Sequence, residues 1–380
     1  MFTLIKNAHI YAPEDLGIRD VLIGGKKIIK TGENIRFDWD PEELEIIDAS
    51  GKIMVPGFID QHVHIIGGGG EDGFASLIRE IQMTDCVRCG VTTVVGLLGT
   101  DNNAKSVSTL IARTKALKEQ GMTAYCLTGS YAYPSETLTG SVKKDIAFIE
   151  EVIGVKVAIS DHRSSNISAE ELARLATEAR VAGLLAKKPG VVHMHTGRGK
   201  KGYTDVVKII KETEIPVSQF RPTHVNLNYP GALEFAEMGG YLDFTSGNET
   251  AETAARLKEA FAKVPLNQIT LSSDSNGSFP IWSDDLKVIG VGIGKMDTLF
   301  DTVRHLIKDQ GVSTGDAVSV ITKNVAEALM LYPVKGCIAK NADADLVLLD
   351  EELNIDTVIV LGKKAVTDGK LTVSDYYHYE

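Results

Sequence analysis

Between Val55 and Glu71 the chain reads V-P-G-F-I-D-Q-H-V-H-I-I-G-G-G-G-E. Its chemistry lies in His62 and His64, two residues apart in an apolar run. In a β-strand, residues i and i+2 point to one face, so both imidazoles can aim at a single cation. Taken alone, the pair could also be two core histidines satisfied by hydrogen bonds, so further ligands must be found elsewhere. Gly67 to Gly70 remove side chains where the backbone needs positive φ or close approach to a ligand, and Glu71 supplies a carboxylate at the far side.

The other candidates fall at the ends of apolar segments. His193 and His195 close one in H-M-H-T-G, His224 closes another in P-T-H-V-N, and Asp274 follows Ser272-Ser273. Five of the nine histidines fall on such tips. Cations of the zinc kind take imidazole and carboxylate ligands, and a catalytic site leaves a position open for water. Lys156 stands inside Gly154-Val155-Lys156-Val157-Ala158-Ile159, where a buried ammonium is costly. It could snorkel or pair with a carboxylate. The alternative, favoured with histidines around it, is that desolvation leaves a neutral amine that captures carbon dioxide and bridges two metal ions as a carbamate.

These residues need elements to carry them. Apolar strands are predicted at 57–64, 92–98, 122–130, 154–159, 190–195, 216–224, 240–245 and 269–273. Amphipathic helical stretches such as Asn103 to Gln120, Ala169 to Lys187 and Asp205 to Glu212 lie between most of them. Eight strands with intervening helices fit an α/β fold, a (β/α)₈ TIM barrel over residues 55–332, whose chemistry sits at the C-terminal strand ends. Residues 1–54 read as a small antiparallel module of short strands, and 333–380 repeat that style. The two ends are expected to pair into one small β-sandwich domain formed from both termini.

The chain has 380 residues, 43% of them hydrophobic, and a net charge of −11. It is long enough for one large domain with an accessory, and too acidic to favour nucleic acid or an anionic membrane surface. Met1 to Asn7 carry no basic segment leading into a long apolar run, and no apolar run approaches a membrane span, so the expectation is a soluble, cytoplasmic protein. Cys86 and Cys89 form C-x-x-C without a second copy, and they read, with Cys126 and Cys337, as ordinary buried thiols.

The order H-x-H, Lys, His, His, Asp on strands one, four, five, six and eight, preceded by P-G-F-I-D and followed by Gly336 to Asp350, resembles the amidohydrolase superfamily of metal-dependent hydrolases. The likeness covers essentially the whole chain. Within that superfamily, G-G-G-G-E after H-x-H, Gly99-Thr100-Asp101, Gly129-Ser130-Tyr131, S-D-H-R-S at 160–164, T-H-V-N at 223–226 and S-D-S-N-G-S at 273–278 resemble the isoaspartyl (β-aspartyl) dipeptidases, a group of metallopeptidases. The resemblance implies two Zn²⁺ ions per subunit, one held by His62, His64 and Asp274 and the other by His195 and His224, bridged by carboxylated Lys156 and a hydroxide. Two metals acidify the bridging water and polarise the scissile carbonyl. Asp274 is expected to take the proton and pass it to the leaving amine, with Tyr131 as an oxyanion donor. His193, one layer below His195, is expected to support or pack.

A β-aspartyl dipeptide keeps a free α-amino group and a free α-carboxylate on its aspartyl residue. Glu71 suits the ammonium and Arg163 the carboxylate, with Gly69, Thr100 and Ser278 adding hydrogen bonds. One departure stands out: the family commonly has T-H-V-N-R, and this chain has Leu227 where the arginine stands, so Arg221 or Arg198 is a candidate to compensate. The polar stretch Ala132 to Ser141 is expected to act as a lid carrying Tyr131. The partner is then a small β-aspartyl dipeptide, and the resemblance implies a homo-oligomer, with an octamer among its sizes. A cyclic amidase of the hydantoinase or dihydroorotase type is the alternative, with a metal-free structural relative behind it.

Overall fold

The computed structural model describes residues 2–36, 43–285 and 287–376. Strands β1 (Phe2–Tyr11), β2 (Asp15–Gly24), β3 (Lys27–Gly32), β4 (Leu44–Asp48) and β5 (Ile53–Pro56) open the chain. The barrel strands follow: β6 (Phe58–Val63), β7 (Val91–Gly96), β8 (Thr123–Gly129), β9 (Val152–Ile159), β10 (Val191–Thr196), β11 (Phe220–Thr223), β12 (Leu242–Thr245) and β13 (Ile269–Ser272). A hairpin comes next, β14 (Ser278–Trp282) and β15 (Val288–Ile293), and then β16 (Leu346–Leu349), β17 (Ile355–Val360), β18 (Lys363–Thr367) and β19 (Lys370–Leu371). The helices used below are α1 (Met83–Arg88), α2 (Val107–Glu119), α3 (Val142–Phe148) and α4 (Ala169–Ala186).

Strands β6 to β13 form one eight-stranded sheet in chain order, each pair parallel. The sheet closes on itself where Val63 bridges Ser275 in parallel and the His64 amide donates to the Ser275 carbonyl at 2.9 Å. This is the TIM barrel. Its strands are buried on both faces and read as near-continuous apolar runs, as in β9, where all eight residues are buried. Outer helices present apolar stripes to it. In α4, Leu172, Leu175, Ala176, Ala179 and Ala182 repeat at three- and four-residue spacing, and a capping box between Ser168 and Glu171 starts the helix. Each predicted barrel strand is present: β6, β8, β12 and β13 are a residue or two shorter at the ends, β7 and β10 are shifted slightly, β9 starts two residues earlier and β11 four residues later.

The ends of the chain share a nine-stranded sheet, in which β16 pairs antiparallel with β5 and so joins the two termini. The sheet curls back on itself: the Asn341 amide donates to Ile28 and the Ala344 amide to Lys26, at 2.8 and 2.9 Å. Ile5, Ile10, Val21 and Ile28 from one end pack with Leu346, Leu348 and Ile359 from the other in a single core, consistent with the expected sandwich. The N-terminal part is mixed rather than purely antiparallel, because β1 pairs in parallel with both β4 and β5. Short strands separated by turns look alike whichever way they run, so the sequence pattern could not separate the two.

All four cysteines are free, and burial pushes the Cys89 and Cys126 thiols up to about 12. Among the described residues no helix is long and apolar enough to cross a membrane.

Candidate active site

Strand register brings the predicted residues to one end of the barrel. His193 lies level with Lys156 and His195 level with Ala158 in the β9–β10 ladder, so His193 sits one layer below His195 on the same face. His224 and Asp274, just past β11 and β13, adopt left-handed backbone at φ 58° and 55°. Such strain in residues other than glycine persists only where the surroundings enforce it, and it gathers at functional sites. Asp60, from the P-G-F-I-D run, accepts from the backbone amides of His62 (3.3 Å) and Ser273 (3.2 Å) and from the Ser273 hydroxyl. It thereby ties the tips of the first and last strands together, which sets His62 beside Asp274.

Asp274 is the hub. Its Oδ1 is 3.3 Å from His62 Nε2 and 3.1 Å from His64 Nε2, and its Oδ2 is 3.9 Å from His224 Nε2. Ligand atoms of His62, His224 and Asp274 all lie within 4.8 Å of one another, a cluster that could hold a metal ion. Neighbours use the other ring nitrogens: His62 Nδ1 is 2.8 Å from His193 Nε2, and His224 Nδ1 is 2.6 Å from the Thr245 hydroxyl. These contacts orient the rings so that Nε2 of each faces Asp274. His195 stands beside His224, ring centroids 4.7 Å apart.

The protonation states suit a cation. Burial, with Lys156 adding to it, holds His62 down at about 3, and burial holds His195 at about 4 and His224 well below the usual range. Neutral imidazole is the form that ligates metal. Burial would raise the Asp274 carboxyl, but the facing histidines keep it well below the ordinary value. Lys156 is fully buried, 3.5 Å from His62 Nε2, and burial pushes its amine down to about 7. An amine so placed has a substantial neutral fraction near pH 7, and the neutral form is what carbamate formation requires. His64 Nδ1 is buried without a hydrogen-bond partner among the described residues, and three imidazole nitrogens converge on the buried Asp274 carboxylate, so the ligand set fits a divalent cation of the zinc kind.

Beside the hub lies an ionic pocket. Glu71 Oε1 accepts from Thr100 (3.1 Å), Ser278 (2.7 Å) and Arg163 (3.3 Å), and its buried Oε2 has no partner among the described residues. Gly69 lines the same cavity of about 340 Å³ with Glu71, Thr100 and Arg163. Its φ is +87° and a Cβ there would meet the Ser76 carbonyl at 2.3 Å, so glycine is required. The Tyr131 hydroxyl is 2.6 Å from His195 Nδ1, and the Arg163 guanidinium lies over the Tyr131 ring, 5.4 Å from its centroid.

Asp161 is a site residue the sequence reading quoted only inside a motif. Its Oδ2 meets both His195 Nε2 (2.8 Å) and Arg163 NH2 (2.9 Å), while Oδ1 takes the Arg163 amide and Nε. A second omission is the β14–β15 hairpin, whose Phe279 to Trp282 line the main cavity of about 930 Å³ over Asp274, His195 and His224. Two apolar runs around Ser283-Asp284-Asp285 were its signature.

Two expectations are corrected. Arg221 does not reach the site: it stands level with His193, a layer below the strand tip, and its buried guanidinium donates to the Ser218, Phe220 and Ala328 carbonyls and stacks on Tyr241. The stretch Ala132 to Ser141 lines a separate small cavity rather than the main one. It is tied down by the buried Asp145, which accepts from Thr128 (2.6 Å) and from the amides of Leu138 and Thr139 (both 2.9 Å).

The amidohydrolase family matches residues 53–365. The chain belongs to the amidohydrolase family. A crystal structure of β-aspartyl dipeptidase from Fervidobacterium islandicum AW-1, in complex with β-Asp-Leu dipeptide, is 39% identical with a TM-score of 0.92, over 99% of this chain and 100% of that one. An L-hydantoinase of Paenarthrobacter aurescens is 22% identical over 94% of this chain and 86% of its own length. Dihydropyrimidinase from Brevibacillus agri NCHU1002, at 16% identity and a TM-score of 0.64 over 98% of this chain and 96% of its own, shares the fold. The resemblance to β-aspartyl dipeptidases read from the motifs therefore extends over the full length of this amidohydrolase.

Proposed function

We propose that this amidohydrolase cleaves the isopeptide bond of β-aspartyl dipeptides as a binuclear zinc hydrolase. The observation that carries the reading is the ionic pocket at the reacting centre: Glu71, with an unpartnered buried Oε2, faces Arg163 at 3.3 Å. A substrate bearing an ammonium and a carboxylate on one carbon can insert between the two, exchanging one protein ion pair for two pairs with the ligand. The 39% identity to a β-aspartyl dipeptidase over the full chain supports the same reading.

His62, His64 and Asp274 would hold one zinc and His195 and His224 the other, with carboxylated Lys156 between them. When bound, the ions supply acidification of a water molecule and polarisation of the scissile carbonyl. The chain's own residues do the rest. Glu71, helped by Gly69, Thr100 and Ser278, binds the α-ammonium, and Arg163 binds the α-carboxylate. Tyr131 is a hydroxyl donor for the developing oxyanion, and its raised pKa, set first by burial, keeps it protonated. Asp274, ionised in the resting site, accepts the proton of the attacking water and returns it to the departing amine.

The test is hydrolysis of β-Asp-Leu beside α-Asp-Leu, dihydroorotate and hydantoin by zinc-loaded protein. Cleavage of the β-linked peptide alone is expected, with Glu71→Gln raising KM by about 10- to 100-fold, the scale of a lost charge-assisted contact. Turnover of the cyclic amides alone would replace this reading with that of a cyclic amidase.

A further inference from the structure

We propose that the wide part of the main cavity is the subsite for the second residue of the dipeptide, and that it selects a bulky apolar residue whose free carboxylate is held by Arg198 and Lys200. The inference rests on the β-aspartyl reading above and names the other half of its substrate. Arg163 and Trp282 line both the narrow ionic pocket and the wide cavity, so the two spaces meet there. With the aspartyl half committed to Glu71 and Arg163, the residue leaving with the amine must extend past Asp274 into the wide side.

That side has a distinct composition. Leu227, Phe279, Ile281 and Trp282 make an apolar wall, and Arg198 and Lys200 supply cations. The chain carries a net charge of −11, so acids are the more numerous charged residues. Arg163 is engaged by Asp161 and Glu71, and Lys201 pairs with Asp205 at 3.0 Å. Arg198 and Lys200 have no acidic partner among the described residues.

The segment that carries them is fixed to the end of β9. The Gly197 amide donates to Ile159 (3.1 Å), Gly199 to Ser160 (2.6 Å) and Gly202 to the Ser160 hydroxyl (2.8 Å). A Cβ on Gly199 would meet the Ser160 carbonyl at 2.5 Å, so this close seating depends on glycine. The two cations thus stand on a defined backbone directly after β10, the strand that carries His195 and ends at Thr196. Across the cavity, Asn226 has a buried side-chain oxygen with no partner among the described residues, and its amide can turn to donate to the same carboxylate. A terminal carboxylate at this place marks a dipeptide; a longer β-aspartyl peptide would put an uncharged amide there.

The experiment compares kcat/KM of the zinc-loaded enzyme for β-Asp-Leu, β-Asp-leucinamide and β-Asp-Gly. Wild type is expected to prefer the acid to the amide by about 10- to 100-fold, the scale of a charge-assisted hydrogen bond, and leucine to glycine by about 10-fold, the scale set by added apolar contact. In Arg198→Ala/Lys200→Ala the preference for the acid should collapse towards one through a rise in KM for β-Asp-Leu, with leucinamide turnover reporting that the variant is folded. In Arg198→Glu/Lys200→Glu the preference should invert. Equal turnover of acid and amide by wild type overturns the subsite, as does a preference that survives both double substitutions. A glycine substrate as good as leucine overturns its apolar part. Cleavage of none of the three β-linked compounds is a different result, and overturns the β-aspartyl reading itself.

Discussion

Asp161 places one carboxylate between two partners of different kinds, a histidine of the candidate metal centre and the arginine of the ionic pocket. Burial would raise it, but hydrogen bonds from His195 and Arg163 hold it far below the usual carboxylate range, so it stays ionised. Asn at this position keeps one acceptor oxygen but loses the negative charge, and its NH2 would face either the Arg163 amide and Nε donors or the His195 and Arg163 donors. Asp161→Asn is therefore expected to lower kcat/KM for β-Asp-Leu by about 10- to 100-fold, in line with other partners of metal-ligating histidines, with a matching fall in bound zinc. Full zinc occupancy together with unchanged KM would remove both proposed roles. Lys156 leads to a second prediction. Chelation should abolish activity, and zinc with bicarbonate should restore more of it than zinc in carbon-dioxide-free buffer. Equal recovery in the two buffers would count against carboxylation. His62, His64, Lys156, His195, His224 and Asp274 stood out in the sequence as candidate ligands because ligand chemistry restricts residue types and strand geometry restricts spacing. Asp161 was not, because a surface-like aspartate in a loop carries no mark of what it faces.

Among the elements, α2 is tied to the start of β9 through Glu151. Lys115 and Lys118 lie 2.9 Å from its carboxylate oxygens, and its side chain is 3% exposed. Burial works to raise this carboxyl, but the two lysine hydrogen bonds prevail and hold it at about 2. Because the folded value lies below the unfolded one, the stability Glu151 contributes is complete above about pH 4.5 and is lost as pH falls through about 2. Glu151→Gln should accordingly be less stable than wild type at pH 7, with the gap in urea midpoint closing as pH falls across that window. A gap independent of pH would mean that packing, not charge, sets the effect. Strands and helices were predicted to within a few residues because their periodicity is local. The cavity roof was not: the β14–β15 hairpin closes over the site through contacts with residues far away in sequence, while the loop expected to do so is held elsewhere by Asp145.

Across the molecule, the C-terminal part of the chain is joined to the barrel by a buried ion cluster. The Lys335 ammonium contacts Asp343 at 2.9 Å, Asp345 and the Thr123 hydroxyl at 2.6 Å, with 4% of its side chain exposed. Asp345 also accepts from the Leu361 amide, and its backbone carbonyl takes the amide of Gly57 at the entry to the barrel. Lys335→Met would leave Asp345 buried without its cation, and a loss of about 3–5 kcal/mol is expected from denaturant unfolding. A loss under about 1 kcal/mol would show that water or another donor replaces the lysine.

The barrel strands, the likeness of the two chain ends and the candidate metal ligands could be read from the amino-acid order alone, since each is written in a short-range pattern of polarity, turn residues or ligand spacing. Folding in three dimensions was needed to set β4 and β5 parallel to β1, to leave Arg221 a layer below the site while Arg198 lines its cavity, and to link His195 to Arg163 through Asp161. Those outcomes depend on which distant side chain a charge meets, and on where water is excluded around it. Neither is set until the strands have closed.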